Sequence, residues 1–114
     1  MPHVTLEFSE GLELIHDFQV ICNDLFTVLA AHEEFDADAL KIRATPVAFY
    51  RIGTDPQTFV HATLLLMQGR SETTRAALNA LILDALASAL PGVGSITVQE
   101  VEMNRTTYAK RLSR

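Results

Sequence analysis

Residues 60–70 read VHATLLLMQGR, and residues 1–11 read MPHVTLEFSEG. At an offset of 58 positions His3 falls on His61, Thr5 on Thr63, Leu6 on Leu64 and Gly11 on Gly69. Each copy is a short β-rich run halted by polar residues and a glycine. Two of the differences between the copies matter most: Pro2 stands where the second has Val60, and Leu12 where it has Arg70.

Reading outward, the period changes after the first run. Leu14, Ile15, Phe18, Ile21, Cys22, Leu25, Phe26 and Leu29 recur at three- and four-residue spacing, which predicts an amphipathic helix from Leu12 to Ala31. His32 to Ala39 is polar and acidic, a loop. Leu40 to Ile52 reads as a strand, with Pro46 marking an edge or bulge. Gly53-Thr54-Asp55-Pro56 is a turn, so the strand Phe59 to Met67 is expected to follow as the second arm of a hairpin. Ser71 is a natural N-cap with Glu72 in the first turn, and Pro91-Gly92 ends that helix. Ala76, Ala77, Ala80, Ala85 and Ala89 are expected to let it lie close against a sheet. A last strand spans Ser95 to Glu102. The order β-α-β, β-α-β predicts an α+β fold: one pseudo-twofold domain of halves at about 1–52 and 59–103, with a four-stranded mixed sheet and both helices on one face. Within Leu64-Leu65-Leu66-Met67 both alternating sets of side chains are apolar, so a second subunit is expected on the other face.

The 114 residues are 48% hydrophobic, enough for one ordinary domain core. A net charge of −5 argues against a nucleic-acid partner, and an acidic ligand must be drawn in by locally placed arginines. One cysteine, Cys22, permits no internal disulfide and fits a reducing cytoplasm. The opening lacks the pattern of a signal peptide, and Ala76 to Leu90 is too short and too interrupted to span a bilayer. A soluble cytoplasmic domain is expected.

Pro2 is tolerated as the first residue of a strand for ordinary reasons. If Met1 is removed, it also becomes a rigidly held secondary amine. Such an amine is a useful general base once burial or nearby cations lower its pKa. Arg70 follows Gly69 at a strand-to-helix corner, beside helix N–H groups that favour anions. Arg43 lies on the second strand between apolar neighbours. Isolated arginines usually snorkel or pair with a carboxylate. Together with a terminal amine, however, two guanidinium forks can orient carboxylates, hold the amine neutral and stabilise a developing dienolate.

MPHVTLEFSEG, KIRATPVAF, FVHATLLLMQGRS and EVEMNRTTYAKR together resemble the 5-carboxymethyl-2-hydroxymuconate isomerases of the tautomerase superfamily over nearly the whole chain. The resemblance implies a homotrimer with inward-facing sheets, Pro2 as catalytic base after loss of Met1, and substrate-binding roles for Arg43 and Arg70. The smaller 4-oxalocrotonate tautomerases are similar to single halves. Their GRS motif matches Gly69-Arg70-Ser71, and an aromatic after their last strand falls on Tyr108. The first half then keeps the proline and Arg43, while the second keeps Arg70 and has Thr97 as the apparent counterpart of Arg43. Ala44-Thr45-Pro46 is less basic than the family pattern and the tail is shorter, which bears on the substrate.

The expected function is a cofactor-independent isomerase acting on an unsaturated 2-hydroxy or 2-keto dicarboxylate, by resemblance 5-carboxymethyl-2-hydroxymuconate. The alternatives are a tautomerase for another enol such as an arylpyruvate, or a non-catalytic trimeric binding or assembly protein. No metal, cofactor, nucleic acid or membrane enters this reading. His3 and His61, read as neighbours on parallel strands, lack further ligands at zinc spacing. Cys22 reads as core, Glu33, Glu34 and Asp36 as a solvated loop, and Lys110, Arg111 and Arg114 as a solvated cluster. Tyr108 either walls a pocket or anchors the tail.

Overall fold

A computed structural model describes residues 1–113, so Arg114 of the basic cluster lies outside the described residues. The chain forms β1 (His3–Ser9), α1 (Phe18–Ala30), β2 (Lys41–Val47), β3 (Phe59–Met67), α2 (Glu72–Ala89) and β4 (Ser95–Met103). Single 3-10 turns lie at Leu12–Leu14 and Ala37–Ala39. The four-stranded sheet has the order β2-β1-β3-β4. β1 runs parallel to β2, β3 runs parallel to β4, and β1 and β3 are antiparallel. This is the expected α+β architecture with a mixed sheet.

The β1–β3 register places Thr5 opposite Thr63, His3 opposite Leu65 and Glu7 opposite His61. A local twofold axis therefore passes through the Thr5–Thr63 pair. Two expectations fail on this geometry. β2 and β3 form no hairpin, because β1 occupies the position between them; the intervening segment must cross the end of β1. His3 and His61 are not neighbours on parallel strands, since the antiparallel pairing sets them on opposite sides of the axis.

Alternation explains the layers. Val4, Leu6 and Phe8 of β1 and Val60, Ala62, Leu64 and Leu66 of β3 all point to one buried face. Phe18, Ile21, Leu25 and Leu29 of α1 cover it with Leu78, Ile82 and Leu86 of α2. The Phe8 and Phe18 rings stack with centroids 3.8 Å apart. α2 thus meets the core through an i, i+4, i+8 stripe of large residues plus the half-buried Ala85. Ala76, Ala77, Ala80 and Ala89 are exposed, so they are not the close-packing face expected of them. Arg75 and Asn79 instead tie α2 to β4 through Glu100, at 2.9 and 2.7 Å. The Asn79 hydrogen bond, with backbone and Arg75 contributions, holds the Glu100 carboxyl below its usual range.

Boundaries moved for local reasons. α1 starts at Phe18, not Leu12, because the Asp17 carboxylate accepts from Gln19 N at 3.0 Å and Val20 N at 3.2 Å. Leu14 and Ile15, counted as part of its stripe, are 84% and 75% exposed on the approach. β2 ends at Val47 and lies at an edge, where Pro46 costs no central ladder bond. Ser9, one of the polar residues expected to halt the first run, is the buried last residue of β1 and accepts from Phe59 N at 2.8 Å. That bond ties the end of β1 to the start of β3. Ser71 caps α2 as expected, accepting from Thr74 N at 3.1 Å.

Leu64, fully buried at the centre of β3, tests this packing. Leu64→Ala should cost about 2–5 kcal/mol in urea unfolding, through lost transfer energy and the cavity left behind.

Candidate functional site

Because β1 and β3 are antiparallel, the N-terminal ends of β1 and β2 meet the C-terminal ends of β3 and β4. Four chain segments converge there. Pro2 is buried, and its carbonyl accepts from Lys41 N at 3.1 Å, extending the β1–β2 ladder by one bond. Gly69 adopts φ 120°, a conformation that side-chain-bearing residues avoid, and so turns the end of β3 toward Arg70. Beyond β4, Asn104 nucleates a turn, accepting from Thr106 N on its side chain at 2.9 Å and from Tyr108 N on its carbonyl at 3.0 Å. That turn folds the tail back across the β1 terminus.

The local electrostatics oppose the global charge. The N-terminal amine, at Met1 in this chain, is held below its ordinary value of 8.0. Burial is the largest cause, followed by Lys110, Lys41, Arg70 and Arg105. A protein of net charge −5 has therefore gathered four cations around its first nitrogen. Three of these were missed in the sequence. Lys41 starts the KIR segment two residues from Arg43, so strand alternation puts both on the same face. Arg105 is fixed by donating to the Gln68 carbonyl at 2.8 Å. Lys110 is exposed, as expected of a solvated residue, yet close enough to act on the amine.

Arg70 is held at the corner. Its Nε donates to Glu34 Oε1 at 2.8 Å and its Nη2 to the Glu34 carbonyl at 3.2 Å. The acidic loop is thus not merely solvated: Phe35 is buried in the core and anchors Glu34 against Arg70. The pair is partly exposed and contributes little stability. Its effect is to fix the guanidinium plane.

Arg43 lies on the second strand, as expected. Its Nη1 lies 3.1 Å from His3 Nδ1, and His3 Nε2 lies 2.8 Å from the Tyr108 hydroxyl. Tyr108 therefore meets the first strand and anchors the tail there. In the β3–β4 register Thr63 faces Gln99, as Thr5 faces Arg43, so the counterpart of Arg43 is Gln99 and not Thr97. Gln99 Nε2 lies 3.1 Å from His61 Nε2, repeating the arginine–histidine contact in neutral form. Among the described residues, no three His, Cys, Asp or Glu side chains are grouped as a metal site, and no helix is long and apolar enough to cross a membrane.

Burial, with Arg43, Lys41 and the terminal amine, lowers the His3 pKa from 6.5. An unfolded chain then binds more protons than the folded one between the folded value and 6.5. Stability should rise with pH through that window and be lost as pH falls through it. Urea midpoints across a pH series should show this rise, and His3→Gln should flatten it.

The sequence profile of the 5-carboxymethyl-2-hydroxymuconate isomerases matches residues 2–104. Comparison with curated proteins finds no significant match. A crystal structure of a 5-carboxymethyl-2-hydroxymuconate delta-isomerase is similar with a TM-score of 0.79 and 19% identity, over 99% of this chain and 89% of that one. A 5-carboxymethyl-2-hydroxymuconate isomerase from Deinococcus radiodurans R1 is 27% identical over 96% of this chain and 88% of its own, with a TM-score of 0.74. A fused 4-OT described as a symmetric trimer has a TM-score of 0.75 and 14% identity, over 91% of this chain and 87% of its own. With the profile spanning β1 to the end of β4, the chain belongs to the 5-carboxymethyl-2-hydroxymuconate isomerase family and is an isomerase.

Proposed function

We propose that this chain is a cofactor-independent tautomerase whose base is the secondary amine of Pro2, exposed by removal of Met1. The observation that carries the reading is the partly buried terminal nitrogen under the positive charges of Lys110, Lys41, Arg70 and Arg105, with its pKa already lowered at Met1. Shifting the terminus by one residue puts the charge-bearing nitrogen at Pro2, which is itself buried. The same cations that disfavour an ammonium attract an anionic substrate and stabilise the charge that develops when it loses a proton.

The substrate class follows from those charges. An unsaturated 2-hydroxy or 2-keto dicarboxylate presents two carboxylates and an oxygen that becomes enolate in the reaction. Arg70, held by Glu34 through Nε and Nη2 and by the Met67 carbonyl through Nη1 at 3.4 Å, keeps one N–H on each terminal nitrogen for a carboxylate. Arg43 uses Nη1 toward His3, which leaves Nε and Nη2 for the other end. Pro2 removes a proton from one position of the conjugated system. Its conjugate acid returns the proton to a different carbon, so the shift is redox-neutral and balanced. The substrate that the family name supplies is 5-carboxymethyl-2-hydroxymuconate, with an arylpyruvate enol as the second one to assay.

A homotrimer is part of the same reading. Leu65 and Met67 stay half-buried on the face opposite the helices, and Val101 beside them is exposed. A fused 4-OT of the same fold is a symmetric trimer. The chain is then one domain built from two β-α-β units, with one site per protomer in the cytoplasm.

One added N-terminal residue that is not processed turns the Pro2 nitrogen into an amide. It should abolish turnover of 5-carboxymethyl-2-hydroxymuconate in an ultraviolet assay. Arg70→Ala should lose about 2–4 kcal/mol of transition-state stabilisation, read from kcat/KM. Undiminished rates in both variants would contradict the mechanism.

A further inference from the structure

Three side chains beside Pro2 form a directed chain of hydrogen bonds. A guanidinium has donors and no acceptor. With Arg43 Nη1 at 3.1 Å, His3 Nδ1 must therefore be the accepting nitrogen. A neutral imidazole with Nδ1 free of hydrogen carries its proton on Nε2. That Nε2–H, 2.8 Å from Tyr108, donates to the hydroxyl oxygen. The tyrosine's own hydrogen is then left over, directed neither at His3 nor at another protein acceptor among its described hydrogen bonds.

We propose that His3 is a positioning residue of this isomerase: locked in its Nε2–H form by Arg43, it turns the Tyr108 hydroxyl into a donor aimed at the enolate oxygen of the substrate. The inference rests on the reading of Pro2 as base, and it adds the group that receives the charge which Pro2 creates. A donor whose oxygen already accepts a hydrogen bond is polarised, and bonds in such a chain strengthen one another. Arg43 thereby acts on the tyrosine through His3, in addition to any carboxylate it binds.

The duplicated half serves as an internal control. There the counterparts of His3 and Arg43 are His61 and Gln99, with Gln99 Nε2 at 3.1 Å from His61 Nε2, and Thr97, the register counterpart of Lys41, holds Nδ1 with its Oγ1 at 2.6 Å. His61 is satisfied by its own neighbouring strand, and neither partner carries a charge. The half with the terminal proline is the one whose histidine reaches a tyrosine.

Two measurements on the full-length protein test this. The first is nitrogen-15 NMR of His3, which reads the tautomer directly and needs no turnover. Nε2–H is expected in the parent protein, with mixed tautomers in Arg43→Met; Nδ1–H in the parent would overturn the proposal. The second is a double-mutant cycle on 5-carboxymethyl-2-hydroxymuconate. Tyr108→Phe and His3→Ala should each lower kcat about 10-fold, with KM changed less than about 2-fold. The double variant should be no slower than Tyr108→Phe alone, because both changes break one chain. His3→Gln, whose amide N–H replaces the Nε2–H, should stay within about 3-fold of the parent. Additive losses, or a Tyr108→Phe enzyme of parental rate, would overturn the proposal. Failure of the proline-base reading appears separately, as full activity in the N-terminally extended protein, and leaves the tautomer result standing.

Discussion

The antiparallel pairing of β1 with β3 about Thr5 and Thr63 is the constraint on which the site depends. With the strands joined in opposite directions at the sheet centre, the start of the first must lie beside the end of the second. The chain terminus, the Gly69-Arg70 corner and the segment after β4 then share one end of the sheet, although they are far apart in sequence. Parallel pairing would have separated them by the length of a strand. The buried alternation Val4, Leu6, Phe8 against Val60, Ala62, Leu64, Leu66 makes this register hard to slip, because a one-residue shift would turn every one of these side chains to the wrong face.

Placing cations there has a cost that the fold meets locally. Lys41 Nζ donates to the Ala39 carbonyl at 3.0 Å, Arg70 leans on Glu34, and Arg105 on the Gln68 carbonyl. These partners hold the side chains while leaving the local field positive, because two of the three are uncharged carbonyls. The partly buried terminus feels that field, since burial removes some of the water that would screen it. The chain as a whole is acidic, so the positive end stands out as a place that favours an anion.

The sequence showed a good deal of this. The repeat at residues 1–11 and 60–70 fixed two of the strands, Ser71 fixed the start of α2, and the Pro-His opening with GRS identified the family. What it hid was mostly long-range. The supposed hairpin looked sound because the turn at Gly53 and the flanking apolar runs are good local signals, and only the sheet order reveals that β1 lies between. The contact of Arg43 with His3 was hidden because it spans forty positions of sequence and depends on parallel register. Glu34 looked solvated because nothing local says that Phe35 pulls its loop into the core. Lys110 looked irrelevant because the Asn104 turn that brings the tail back carries no strong signature. Tyr108 was singled out by resemblance, and its contact with His3 came from the fold.

The central claim is that the mature terminus is a proline amine whose pKa is held below the ordinary α-amino value by burial and nearby cations, which makes it a usable base. A nitrogen-15 titration of the Pro2 nitrogen, on protein whose intact mass shows Met1 absent, tests it most directly. The expected result is a midpoint below 8.0, the ordinary value for an α-amino group, moving upward when Lys41 and Lys110 are both replaced by methionine. A retained Met1, or a proline nitrogen that stays protonated above pH 8.0 and ignores those cations, would contradict it.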